Sequence, residues 1–298
     1  MLHRQVLAVL SGLIVLTGGE VGLFLWLNEA EIAARRADAL FRRQAYAAAV
    51  ELYQQALRRH PGRPDLLLPL AKALGGSGRP AEARLAVGQV LAVAPRDVQA
   101  HQVALELAWQ AKDRAGVIDA ATALLAIDPR HSVARRDLAR ALAAVGRSEE
   151  AETEYRRLIE GVPSEVSAMV ELGVLLEARG DRAGAVEQRR RALAASAGDL
   201  DVQLGLADLL AASGRFAEAA DLYQRHLARR PGDRSVRLRL AETLNALKAF
   251  DRSAAEYRVV LEQSPDDAET RVKLARALSW SKRYEESIEE YRRVLGER

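Results

Sequence analysis

From about residue 30 onward, apolar and small residues recur at three- and four-residue spacing in paired segments, and the pairs repeat. Leu206, Leu209 and Leu210 mark one segment and Ala217, Ala220, Tyr223 and Leu227 the next, with Gly214 at the break. Gly146, Gly180 and Gly214 are each followed by Arg or Asp, as a helix stop should be. Prolines at 61, 95, 129, 163, 231 and 265 fall on one 34-residue grid, with Ala197 in the vacant slot. A proline lacks the amide donor and clashes with the preceding turn, so each one closes a second helix. Four residues ahead of every slot stands a branched aliphatic, from Leu57 and Leu91 to Leu261 and Leu295. Two mostly small columns lie 12 and 24 residues ahead, beginning with Ala49 and Ala37, and these let paired helices approach closely. No strand pattern appears. The pattern predicts an all-α chain, an α-solenoid of about eight helix-turn-helix units starting near 30, 64, 98, 132, 166, 200, 234 and 268. Stacking is required because one pair alone cannot bury its apolar face.

The first 28 residues stand outside this frame. Residues 6–27 are almost wholly apolar, and 22 residues at the helical rise span about 33 Å, enough for a bilayer core. Three readings compete: a transmembrane anchor, which is preferred, a cleaved signal peptide, and a buried helix. The signal-peptide reading is weakened because the apolar run resumes at Val21 and no A-x-A site follows. Glu20 is costly inside a membrane, and Gly18 and Gly22 flank it as a small-xxx-small pair. These three residues are a candidate helix-packing contact; the plainer reading is a short span with its C-terminal half in the interface. Arg4 argues for a start in the cytoplasm, whereas Arg35, Arg36, Arg42 and Arg43 argue the other way. The expectation is a single pass through a bacterial inner membrane with the repeat region on the periplasmic side, a cytoplasmic placement staying open.

The 34-residue unit resembles the tetratricopeptide repeat, with small residues at positions 8 and 20, proline at 32 and an aromatic often at 24 (Tyr53, Tyr155, Tyr223, Tyr257, Tyr291). The third unit departs from it with Leu105 and Val117 in its small columns, which predicts a wider helix pair. The fifth has Arg189 in the aromatic column and no proline, which predicts a bend or a looser join. The resemblance implies a protein-binding groove lined by positions 2, 5, 9, 12 and 13 of each first helix. Trp109, Trp280, Leu204 and Leu238 would be its anchors, and Arg136, Arg140, Glu242 and Arg276 its polar contacts. Packing between helices is the alternative for the tryptophans and leucines. The carboxylate-clamp variety is not matched, since its first-unit Lys and Asn slots hold Ala34 and Asp38. On the last helix Ile288, Tyr291 and Leu295 form a stripe that either packs inward or is a site for self-association or a stacking partner.

Composition narrows the chemistry. The 44 basic and 41 acidic residues nearly cancel, which gives no electrostatic reason to expect nucleic-acid binding. There is no cysteine, which removes disulfides, thiolate metal sites and cysteine nucleophiles. The five histidines share no face at metal-ligand spacing, and Gly75–Gly78 lacks the Lys-Ser/Thr of a phosphate loop. No cofactor, no metal and no enzymatic activity are expected. The reading is a membrane-anchored scaffold or adaptor of a bacterial envelope assembly whose groove binds a partner protein. The alternative is an accessory subunit of a membrane complex, held by its transmembrane helix and capped by the repeats.

Overall fold

The computed structural model describes residues 29–296. Residues 6–27, and with them Gly18, Glu20 and Gly22, lie outside the described residues. Among the described residues no helix is long and apolar enough to cross a membrane.

Sixteen α-helices account for almost all of the described chain, and no strand occurs among these residues. The first, α1, covers residues 29–42. Then follow α2 (Tyr46–Arg59), α3 (Pro64–Gly76), α4 (Pro80–Val93), α5 (Val98–Gln110) and α6 (Arg114–Ile127). Next come α7 (Ser132–Ala144), α8 (Ser148–Gly161), α9 (Val166–Ala178), α10 (Arg182–Ala195) and α11 (Leu200–Ala212). The last are α12 (Phe216–Arg229), α13 (Arg234–Ala246), α14 (Phe250–Gln263), α15 (Ala268–Trp280) and α16 (Tyr284–Leu295). The odd helices from α3 begin at the unit starts that the periodicity predicts. The chain divides into two compact units, one ending at Glu154 and the other beginning at Tyr155.

Local chemistry sets the ends of these helices. Asp97, Asp199, Asp233 and Asp267 cap first helices, each accepting a backbone N–H of the first turn, and Asp113 and Asp181 cap α6 and α10 in the same way. Inside every pair the turn passes through one left-handed residue: Gln44, Gly78, Lys112, Gly146, Gly180, Gly214, Lys248 or Lys282. Half of these are not glycine, so glycine spacing alone reveals only part of the column.

The small columns do what their size predicts. Ala37, Ala71, Ala139, Ala207, Ala241 and Ala275 are fully buried, as are Ala49, Ala83, Ala151, Ala185 and Ala219 opposite them. In the last two units serine replaces alanine, and each hydroxyl donates across the pair: Ser253 Oγ to Ala241 O and Ser287 Oγ to Ala275 O, both at 2.8 Å. A second device recurs in the units starting at 132, 234 and 268. Arg135, Arg237 and Arg271 each reach a glutamate of the paired helix (Glu154, Glu256, Glu290 at 2.5–2.7 Å). The same guanidinium donates to the proline carbonyl that precedes the unit, Pro129, Pro231 or Pro265. The proline column thus also supplies an acceptor that ties consecutive units together.

Two expectations, for the third unit and for the α16 stripe, are revised; the looser join expected at the fifth unit is supported by a cavity of about 540 Å³ between α10, α11 and α12 that Ala197 helps to line. In the third unit Leu105 and Val117 are buried, and close approach is carried instead by Gly116, where an added Cβ would lie 3.3 Å from that of Ala108. In the fifth unit α10 ends at Ala195, in register with its counterparts, although no proline follows. Ser196 closes the turn by donating its hydroxyl to Ala192 O at 2.7 Å, and Asp199 caps the next helix. Arg189 fills the aromatic slot because both neighbours are glycine: an added Cβ would meet it at 3.2 Å from Gly173 and 2.4 Å from Gly205. Its guanidinium pairs with Glu177 at 3.6 Å. The stripe on α16 does not pack inward: Ile288 is 50%, Tyr291 38% and Leu295 71% exposed.

Candidate partner-binding surface

Within each compact unit the first helices of the repeats present a face, and its character differs between the two units. In the unit ending at Glu154, α1, α3 and α5 enclose an open cleft of about 550 Å³. Phe41, Leu68, Pro69 and Val103 supply its apolar surface, and Asp38, Lys72, Gln99 and Gln102 its polar groups. Pro69 lies inside α3 and Val103 inside α5, both at position 6, with side chains too short to reach across to position 9.

The charges of this cleft are satisfied internally. Tyr53 Oη donates to Asp38 Oδ1 at 2.5 Å. Burial, and then the Asp38 carboxylate beside it, push the Tyr53 phenol well above its ordinary pKa, so it remains a donor. Lys72 Nζ pairs with Glu106 at 2.9 Å. Asp65 is held by Arg63, whose hydrogen bonds keep that carboxylate below its usual range. Gln99 is exposed, and Gln102 lies within 3.0 Å of a ring nitrogen of His131. What the cleft offers a ligand is therefore an apolar floor and amide groups that both donate and accept.

In the unit beginning at Tyr155, the same face is bridged. In α13 and α15 position 6 carries a long cation, and each of the two reaches the position-9 carboxylate of the repeat before it. Arg239 Nη1 meets Asp208 Oδ2 at 2.6 Å, and Lys273 Nζ meets Glu242 Oε1 at 2.9 Å. Hydrogen bonds that Lys273 donates to Glu242 and then Glu269 raise its pKa, which keeps it charged. Tyr223 Oη donates to Asp208 Oδ1 at 2.7 Å, repeating the Tyr53–Asp38 pair.

The residues expected to line a groove divide accordingly. Trp109, Arg136 and Arg140 belong to the first unit, and Leu204, Leu238, Glu242, Arg276 and Trp280 to the second. Trp109 is 37% exposed and Trp280 54%; the latter lies against Phe250 with ring centroids 5.4 Å apart. Arg140 and Arg276 are exposed, and Arg136 is half-buried. Leu238 packs on the core around Tyr257 and Leu278, and Leu204 is half-buried. Leu68 and Gln102 at position 5 and Lys72 at position 9 line the cleft, whereas none of the chosen anchors does. The missed signal was position 6, where a proline interrupts an otherwise helical run. Among the described residues no group of three or more His, Asp or Glu could hold a metal ion.

Residues 40–106 match one family model and residues 136–199 and 204–268 another, both described as tetratricopeptide repeat. The chain belongs to the tetratricopeptide repeat family. The repeats left between the matches include the second half of the third, whose small column is occupied by Val117. No curated protein matches the chain. Several solved structures share the repeat fold. The C-terminal part of a tetratricopeptide repeat-containing protein from Cytophaga hutchinsonii aligns at a TM-score of 0.67 and 14% identity, covering 81% of this chain and 99% of that one. A MamA structure aligns at 0.52 and 20% identity, covering 56% and 92%. YrrB, described as a tetratricopeptide repeat protein with an unusual peptide-binding site, aligns at 0.51 and 18% identity, covering 60% and 92%. At these identities the likeness concerns the repeat fold alone.

Proposed function

We propose that this repeat protein is a scaffold or adaptor that binds an extended segment of a partner protein in the cleft between α1, α3 and α5. The observation that carries this reading is the cleft itself, an opening of about 550 Å³ with an apolar floor and glutamine amides at its edge. An extended peptide offers alternating backbone donors and acceptors, which glutamine amides can pair, and apolar side chains for the floor. Because the acids and bases of the cleft are already paired, the partner segment is of low net charge. The peptide-binding site named for YrrB, a protein of the same fold, supports this use of the repeat surface.

The apolar run at residues 6–27 supports an anchor in a bacterial inner membrane, with the repeats on the periplasmic side in an envelope assembly. Anchoring would raise the effective concentration of the cleft for partners in the same membrane. The test is purification from native membranes in mild detergent, beside a form lacking residues 1–28 and a Gln99→Lys/Gln102→Lys variant, with co-purifying proteins identified by mass spectrometry. Partners retained by the truncated form and lost by the double variant would support recognition in the cleft. Partners lost on truncation but kept by the double variant would contradict it and favour the accessory-subunit reading, in which the membrane helix specifies assembly.

A further inference from the structure

Among the described residues nothing packs on the apolar stripe of α16. Tyr284 is 59%, Ile288 50%, Tyr291 38% and Leu295 71% exposed, and their spacing of four, three and four residues sets them on one face of α16. The repeat frame identifies this face. In α14, the corresponding Ala254, Tyr257 and Leu261 are buried, and they form one core with Leu274, Ala277 and Leu278 of α15. In α2, Val50 and Tyr53 are likewise buried in the core shared with α3. The α16 stripe is thus a stacking surface of the kind that α2 and α14 give to the following first helix, and among the described residues its apolar side chains are exposed. Four large apolar residues in one exposed stripe are more than scattered surface apolar residues account for.

The charges on the flank indicate what covers it. Glu285 and Arg292 are seven residues apart, so they share one flank of the stripe, one near each end of the helix. Both are exposed, and among the described residues neither enters an ion pair. Two α16 helices packed antiparallel about a twofold axis bring like flanks together with their ends reversed. Glu285 of each copy then faces Arg292 of the other, Tyr284 faces Leu295 and Ile288 faces Tyr291. A parallel pair about a twofold axis would instead set this flank against the opposite one, so Glu285 and Arg292 would not meet. We propose that the chain self-associates through an antiparallel α16–α16 contact, making a twofold dimer with this stripe at its centre.

Because the chain has no cysteine, crosslinking can read the register directly. The full chain is kept in mild detergent, with Tyr284→Cys and Leu295→Cys prepared separately and then mixed under mild oxidation. The expected result is a disulfide-linked dimer in the mixture and little from either variant alone. A Tyr284→Cys chain that crosslinks with itself would overturn the antiparallel arrangement. Light scattering supplies the second measurement. Ile288→Glu weakens dimerisation at least about a hundredfold, because it puts an unpaired charge at the centre of the contact. Glu285→Arg or Arg292→Glu alone weakens it about tenfold, and the two together restore it. These side chains are exposed, so the circular dichroism of each variant stays that of the parent chain. A monomeric parent chain, or a dimer indifferent to Ile288→Glu, would overturn the proposal; the second result would place association elsewhere, as in residues 1–28.

Discussion

The first-helix face of α1, α3 and α5 is open, whereas that of α11, α13 and α15 is bridged, although both use the same positions of the same repeat. Both regions bury a tyrosine that donates to the position-9 aspartate, Tyr53 to Asp38 and Tyr223 to Asp208. They part at position 6. Pro69 and Val103 leave a cleft, while Arg239 and Lys273 span to Asp208 and Glu242. The repeat frame fixes where side chains stand, and one column decides whether the face is a binding surface or a ladder of ion pairs.

The largest effect should come from the device that the two regions share. Tyr53→Ala and Tyr223→Ala remove buried rings and the phenol that donates to each aspartate, at about 3–5 kcal/mol each in urea melts. If only one of them is costly, the regions do not share a common support. Next comes the trade that the cleft makes. Pro69 sits inside α3, so Pro69→Ala should stabilise the first unit by about 1–3 kcal/mol while weakening partner binding, since it removes part of the apolar wall. A parallel rise in stability and binding would show that Pro69 has no role in the cleft. A smaller test addresses the turns. Lys248→Gly relieves a left-handed residue and should stabilise by about 0.5–1 kcal/mol, and Gly214→Ala should destabilise by a similar amount.

The smallest effect is electrostatic. Arg79, Arg147, Arg215 and Arg283 hold Glu82, Glu150, Glu218 and Glu286 below the usual carboxylate range through hydrogen bonds. A depressed folded-state pKa contributes stability above the unfolded value, and that contribution is lost as pH falls through the folded one. These pairs lie at the surface, so melts from neutral to acid pH should show only a shallow decline from this source, flattened further by salt.

The fold was largely legible in the sequence, because the proline grid and the small columns report backbone geometry that every unit must satisfy. Unit starts from 64 to 268 coincide with helix starts for that reason. What the columns could not convey was compensation between neighbours. Arg189 takes the place of a ring only because Gly173 and Gly205 make room, a relation spread over three helices. The candidate site was half legible. The face could be named from its columns, but the cleft depends on how far position 6 reaches, which is a matter of side-chain length across two helices. The left-handed turn was visible where it was glycine and hidden at Gln44, Lys112, Lys248 and Lys282.

The central claim is that position 6 opens or closes the first-helix face. It is tested most directly by exchanging the two characters: Pro69→Arg in one full-length chain and Lys273→Ala in another, each compared with the parent for the partners it retains in mild detergent. The account predicts that Pro69→Arg loses the partner set at least about tenfold, because the new cation reaches Asp38 and fills the cleft, and that Lys273→Ala keeps it. Partners kept by Pro69→Arg and lost by Lys273→Ala would contradict it and place recognition on the bridged face.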